Sequence, residues 1–156
     1  HHVFTTLNRI VSTFDELAEK YGLEKIKTIG DAYMIAGGLD STNQNYTIAM
    51  ADMAIEMNTI LLNNQDINPL QLGIRIGIGT GPLIAGVVGK KKFIYDLWGD
   101  TVNIASRITS ESHPGMIHCD STTYRRLSKE FKFEGPSLVQ LKGKGNTEIY
   151  KLVTRS

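Results

Sequence analysis

The apolar residues of this 156-residue chain change their spacing several times along its length, and those changes limit the fold more than any other feature. Val3, Phe4, Leu7, Ile10, Val11, Phe14, Leu17, Ala18 and Tyr21 recur every three or four residues. Such spacing gathers them into one stripe of an amphipathic helix. Gly22 follows, where glycine ends a helix at low cost. The period then shortens. Residues 24–29 and 32–36 read as strands, with Gly30-Asp31 as the tight hairpin turn and Gly37-Gly38 closing the unit. Helical spacing returns from Ile48 to Leu62, and a loop rich in Asn follows up to Pro69. Leu72, Ile74, Ile76 and Ile78 alternate with a period of two, which predicts a strand. Gly79-Thr80-Gly81-Pro82 has turn chemistry and Leu83 to Val88 reads as another strand, so a second hairpin is expected here. Phe93 to Asp96 reads as a short extended piece.

Asp100 is expected to cap a helix over 101–110. A strand at 116–119, a helix at 121–128 and strands at 138–141 and 149–153 complete the chain. This order predicts an α+β domain, residues 1–156, with helices packed on a largely antiparallel sheet.

Composition excludes several classes of function. The formal net charge is +1, which gives no basic surface for nucleic acid and no polybasic membrane anchor. No apolar run approaches the ~18 residues of a membrane-spanning helix. Cys119 is the single cysteine, so no internal disulfide can form, which fits a reducing compartment. The chain opens on His1-His2 with no signal peptide and no initiator methionine, which reads as a fragment boundary or as native histidines.

The glycine-rich stretch Gly77, Gly79, Gly81, Gly86 and Gly89 fails both common nucleotide-loop templates. Gly89-Lys90 is followed by Lys91 rather than Ser or Thr, and positions 82 and 84 are Pro and Ile where a dinucleotide fingerprint needs glycine. These glycines are expected to bend strands and permit a tight hairpin. His113 and His118 are isolated, and no Cys/His group has zinc spacing.

Two segments carry chemistry. Lys25-Ile26-Lys27-Thr28-Ile29-Gly30-Asp31-Ala32-Tyr33-Met34 sets a carboxylate on a glycine turn, with a lysine on the incoming strand. Tyr95-Asp96-Leu97-Trp98-Gly99-Asp100-Thr101-Val102-Asn103-Ile104-Ala105-Ser106-Arg107 sets Asn103 and Arg107 four apart. On a helix these two share a face and can reach one ligand. Asn offers a donor and an acceptor, and Arg a permanently charged fork suited to phosphate.

Together the two segments resemble the signature of class III adenylyl and guanylyl cyclases, and Leu141-Lys142-Gly143-Lys144-Gly145 is similar to the family's late Lys-Gly-Lys-Gly segment. The resemblance runs from about Leu7 to the C-terminus. It implies a ferredoxin-like, palm-like βαββαβ cyclase homology domain that makes cyclic AMP and pyrophosphate from ATP. Asp31 then matches one of two aspartates that hold two Mg²⁺ or Mn²⁺ ions. Lys27 and Asp96 match the pair that reads the purine, and Asn103 the residue that orients the ribose. Arg107 matches the arginine on the reacting phosphate, and Lys142 the lysine on the terminal phosphates. Guanylyl members typically carry Glu and Cys at the positions of Lys27 and Asp96, so the resemblance implies ATP rather than GTP. One chain carries both metal-ligand and base-reading residues, which implies a homodimer with two equivalent sites. ATP is intracellular, so the domain is expected in the cytoplasm, with regulatory or membrane segments possible upstream.

The chain departs from the family at its start. The Phe-x-Asp-x-x-Gly-Phe-Thr pattern that bears the other metal aspartate is absent, and neither Asp15, in the first helix, nor Asp40, in a loop, replaces it. An N-terminally incomplete domain is therefore expected, with an open sheet edge that favours strand exchange. The competing readings are a non-catalytic nucleotide-binding or dimerisation module and a guanylate cyclase. A diguanylate cyclase lacks its Gly-Gly-Asp/Glu-Glu-Phe loop here.

Overall fold

A computed structural model describes residues 2–39, 45–90, 94–141 and 143–156. Phe93, Asp40 and Lys142 lie outside the described residues. The elements run α1 (His2–Lys20), β1 (Glu24–Ile29), β2 (Ala32–Ala36), α2 (Tyr46–Asn63), β3 (Ile76–Ile78), β4 (Ile84–Val88), β5 (Ile94–Trp98), α3 (Asp100–Glu111), β6 (Ile117–Asp120), α4 (Ser121–Leu127), β7 (Phe131–Leu141) and β8 (Gly145–Arg155). The α+β expectation is met: helices accompany sheets in which β1–β2, β6–β8 and β7–β8 pair antiparallel and β3–β6 pairs parallel. The chain divides into two compact units, residues 1–73 with 85–96, and residues 74–84 with 97–156.

In the first unit α1 buries Ile10, Phe14, Leu17 and Ala18 of the predicted stripe together with Thr6, while Val3 and Phe4 at its start are exposed. α2 buries Ala51, Met53, Ala54, Met57 and Leu61. Polar contacts tie the two helices and the loop after α2. Lys20 Nζ lies 3.0 Å from Glu56 Oε1, the Tyr21 hydroxyl donates to the same carboxylate, and Arg9 Nη1 donates to the Asp66 carbonyl at 2.7 Å. Asn68 is 2% exposed, yet its amide nitrogen donates to the Leu61 and Leu72 carbonyls and its oxygen accepts from the Leu72 N–H. A buried polar side chain so satisfied fixes the loop instead of weakening it. β1 and β2 form an antiparallel hairpin around Gly30, whose φ of 58° is left-handed and suits glycine.

In the second unit the sheet order is β3-β6-β8-β7. Here the structure overturns one expectation. The strand at 76–78 does not form a hairpin with 84–88; β3 pairs in parallel with β6, and β4 pairs with β5. The reason lies in the glycines. A Cβ on Gly77 would stand 2.5 Å from Thr109 N and 2.7 Å from the Ala105 carbonyl. On Gly79 it would stand 3.3 Å from Ala105 Cβ, and on Gly81 2.5 Å from Thr101 Oγ1. Alternate residues of the extended segment thus face Thr101, Ala105 and Thr109, one helical face of α3. The glycines admit a helix, and the turn chemistry they also carry is not used for a hairpin.

β7 and β8 are eleven residues each, far longer than the predicted strands. Gly135-Pro136 lies inside the first of them, where proline cannot donate to the ladder. The sheet absorbs it at a register irregularity between Glu134 and Ser137. α4 is capped by Asp120, whose carboxylate accepts from Thr123 N at 3.0 Å. Tyr124 of α4 stacks on Tyr150 at 3.9 Å and meets Phe133 edge-on at 5.0 Å, which packs the helix on β7 and β8. His118 lies in β6 opposite Lys151, with Nδ1 2.6 Å from Ser112 Oγ. Burial, then the charges of His113 and Lys151, hold its pKa below the ordinary histidine value.

Two measurements test this packing. Gly77→Ala should lose about 2 kcal/mol or more in urea unfolding, since the added methyl overpacks backbone. An unchanged midpoint would show that α3 does not sit on this strand. For His118 the folded pKa is depressed, so below about pH 6.5 the unfolded chain binds a proton that the fold resists. Stability contributed by this residue should therefore be complete above that pH and fall as pH drops towards the folded pKa. His118→Gln should flatten that part of a stability profile.

Candidate functional site

β1 positions the first pair of predicted site residues. Ile26 is buried, and a bulge between Lys25 and Lys27 resets the pleat there. Lys27 then reaches β5, where its Nζ lies 2.7 Å from Asp96 Oδ2. The side chains are 26% and 18% exposed. That is enclosed enough for the charge-assisted hydrogen bond to matter and open enough for a ligand to compete for it. Both residues belong to the first unit, although 69 positions separate them in sequence. The two residues to which the resemblance gives the purine are thus in contact with each other.

Asp31 is exposed in the β1–β2 turn, immediately after Gly30. Its hard carboxylate oxygens suit Mg²⁺ or Mn²⁺ as one ligand. Among the described residues no three His, Cys, Asp or Glu side chains gather to complete a cation site. Asp31 offers at most one ligand to such an ion. Asp15 is engaged otherwise. It lies 3.0 Å from Lys25 Nζ and accepts the Tyr33 hydroxyl at 2.8 Å, tying α1 to the hairpin. Burial first, then this bond and the Asp15 charge, raise the Tyr33 hydroxyl's pKa. The exclusion of Asp15 as a metal aspartate accords with that role.

Asn103 and Arg107 are both exposed on α3, in the second unit. The glycine-bearing segment takes Thr101, Ala105 and Thr109, while Ile108 joins a buried cluster with Leu141 and Ile149, against which Ile104 packs. The positions left for Asn103 and Arg107 face away from that packing. Lys142 lies outside the described residues, but its neighbour Leu141 is 2% exposed in the same cluster.

One feature escaped sequence reasoning. Asp100 does not cap α3. Gly99, with φ 131°, occupies the N-cap, and Asp100 is the first helical residue. Its Oδ2 instead lies 2.5 Å from Lys144 Nζ, on the β7–β8 turn. The signal was present in the Lys-Gly-Lys-Gly segment, whose second lysine had no assigned partner.

No helix among the described residues is long and apolar enough to cross a membrane. Comparison with known proteins gives one family. A family model described as the adenylate and guanylate cyclase catalytic domain matches residues 1–154. An adenylate cyclase of Mycobacterium tuberculosis is 40% identical over 149 residues, covering 96% of this chain and 34% of its own length. The chain thus spans about a third of that relative. Among solved structures, the guanylate cyclase domain of RhGC from Catenaria anguillulae in complex with GTP superposes with a TM-score of 0.91 at 32% identity, covering 99% of this chain and 85% of that one. The catalytic core of a rhodopsin-guanylyl cyclase with converted specificity, in complex with ATPαS, superposes at 0.89 and 34% identity, over 96% and 82% of the two chains. Adenylate and guanylate types thus both resemble it. The fold, the site motifs and these matches agree that the chain belongs to the adenylate and guanylate cyclase catalytic domain family.

Proposed function

We propose that this domain is of the adenylate type and converts ATP to 3′,5′-cyclic AMP and pyrophosphate at sites completed by two copies of the chain. The observation that carries the reading is the Lys27–Asp96 pair, 2.7 Å apart and largely enclosed. Adenine presents a ring-nitrogen acceptor and an amino donor on one edge. Lys27 Nζ donates to the first and Asp96 accepts from the second. Guanine reverses both groups, so Asp96 would face a carbonyl oxygen and Lys27 a ring N–H. Unpaired like groups in an enclosed site are costly, which is how hydrogen-bonding sites reject a close analogue. Before nucleotide binds, the two residues satisfy each other, so neither charge is left unpaired.

The remaining residues follow their chemistry. Asn103 and Arg107, one helical turn apart, orient the ribose and hold the phosphate that receives the 3′ hydroxyl. The guanidinium is a fixed cation where negative charge grows in the transition state, a contribution of roughly 3–4 kcal/mol by comparison with an oxyanion donor. Lys142 binds the terminal phosphates. Asp31 supplies carboxylate oxygen to a divalent cation. Bound Mg²⁺ or Mn²⁺ would lower the pKa of the attacking hydroxyl and neutralise the leaving oxygens. Because one chain carries both metal-ligand and base-reading residues, two identical copies would form two equivalent sites, and the ATP requirement fits a domain in the cytoplasm.

The deciding assay supplies Mn²⁺ with ATP or GTP to the full-length protein. ATP should be the better substrate by kcat/KM; a preference for GTP would refute the assignment of Lys27 and Asp96, and no turnover of either would favour a non-catalytic module. The double variant Lys27→Glu/Asp96→Cys should lose ATP turnover and move the preference towards GTP. Dimeric sites have a separate signature. Asp31→Asn and Arg107→Ala should each be inactive alone. Random pairing of an equal mixture should restore about a quarter of wild-type activity, because half the dimers then hold one intact site. No recovery on mixing would exclude sites shared between copies.

A further inference from the structure

We infer that Asp100 and Lys144 form a positioning clamp, holding the β7–β8 turn against the face of α3 that bears Asn103 and Arg107. The inference rests on the nucleotide site proposed above and adds two residues to it. Asp100, Asn103 and Arg107 stand at helix positions i, i+3 and i+7, so they share one face. Lys144 Nζ lies 2.5 Å from Asp100 Oδ2 and so brings the turn to that face. The root of the same turn is fixed independently. Leu141, 2% exposed, packs with Ile108 and Ile149. The Lys144 N–H donates to the Leu141 carbonyl at 2.9 Å, which closes the turn. Gly143 and Gly145 hold φ values of 81° and 68°, a left-handed conformation that other residues adopt at a cost.

An apolar anchor and an ion pair thus fix the turn to one helix at two points. The ion pair adds a second point of contact with α3 to the apolar one. The ion pair is exposed, 61% at Asp100 and 43% at Lys144, so its contribution to stability is small. A role in placement therefore fits it better than a role in holding the fold. Asp100 also sits in the first turn of α3, where a carboxylate is favoured by the helix dipole and is held ready for the lysine.

The test uses the full-length protein with Asp100→Lys, Lys144→Asp and the exchanged pair Asp100→Lys/Lys144→Asp. Each single variant should raise KM for Mn²⁺-ATP roughly threefold or more, with kcat nearly unchanged and the thermal midpoint within error. The exchanged pair should recover KM, and the wild-type advantage should shrink at high salt. If Asp100→Asn leaves KM at the wild-type value, or the exchanged pair is as impaired as Lys144→Asp, the clamp is refuted and Lys144 acts on the nucleotide itself. A second measurement does not depend on turnover. Acetylation of Lys144, followed by mass spectrometry, should be faster in Asp100→Asn than in wild type; equal rates overturn the clamp. A wild-type protein that turns over neither nucleotide would overturn the cyclase reading, while the acetylation rates would still decide whether the ion pair holds the turn.

Discussion

The seating of α3 on the glycine-bearing segment is the contact on which the second unit depends. Alternate residues of an extended chain repeat about every 6.6 Å, and every fourth residue of a helix about every 6 Å. Gly77, Gly79 and Gly81 therefore keep step with Thr109, Ala105 and Thr101 along the whole contact. With no side chains between them, helix and strand backbones come close enough that a methyl at Gly77 would meet Thr109 N at 2.5 Å. Once that face is taken, the helix has no rotational freedom left. Ile104 and Ile108 must turn towards Leu141 and Ile149, and Asn103 and Arg107 must turn outwards. Three residues with no side chain thereby set the direction of the two to which the proposed function gives the ribose and phosphate.

That same contact marks where the sequence was legible and where it was not. α1 was readable because its stripe depends only on residues within the helix. The hairpin of β1 and β2 was readable because Gly30-Asp31 is local turn chemistry. The glycine run was misjudged because two structures share one composition. Glycine permits a tight turn and also permits close approach by another element, and only the partner in space separates them. The extent of β7 and β8 was hidden for a similar reason, since pairing with a neighbour outweighed the breaker at Pro136. Among the site residues, Lys27 and Asp96 were paired by family resemblance alone, since a separation of 69 positions gives no physical signal. Asp100 was given the commonest local role of a carboxylate before a helix, and the fold gave it a distant lysine instead.

The carboxylates divide by their surroundings. Asp15 holds Lys25 and Tyr33, Glu56 holds Lys20 and Tyr21, and Asp120 caps α4; each is occupied within the structure. Asp96 is held by Lys27 in a half-buried ion pair, the one to which the proposed function gives the purine. Asp31 stands exposed on a turn, which leaves its oxygens open to a hard cation. Position and partner, more than residue type, distinguish the structural acids from those available for chemistry.

Enclosure at one pair and exposure at the other suits two different tasks. Discrimination between purines depends on making the wrong hydrogen-bonding pattern costly, and that cost is large only where water cannot fill the unmet bonds. Lys27 and Asp96, with 26% and 18% of their side chains exposed, would meet this need in the proposed role. A polyphosphate is attracted through its charge, over a range set by the surrounding salt, so arginine can stand in solvent and still capture it. In the proposed role Arg107 needs a defined direction more than a dry site, and the helix face left open by the glycine contacts supplies that direction.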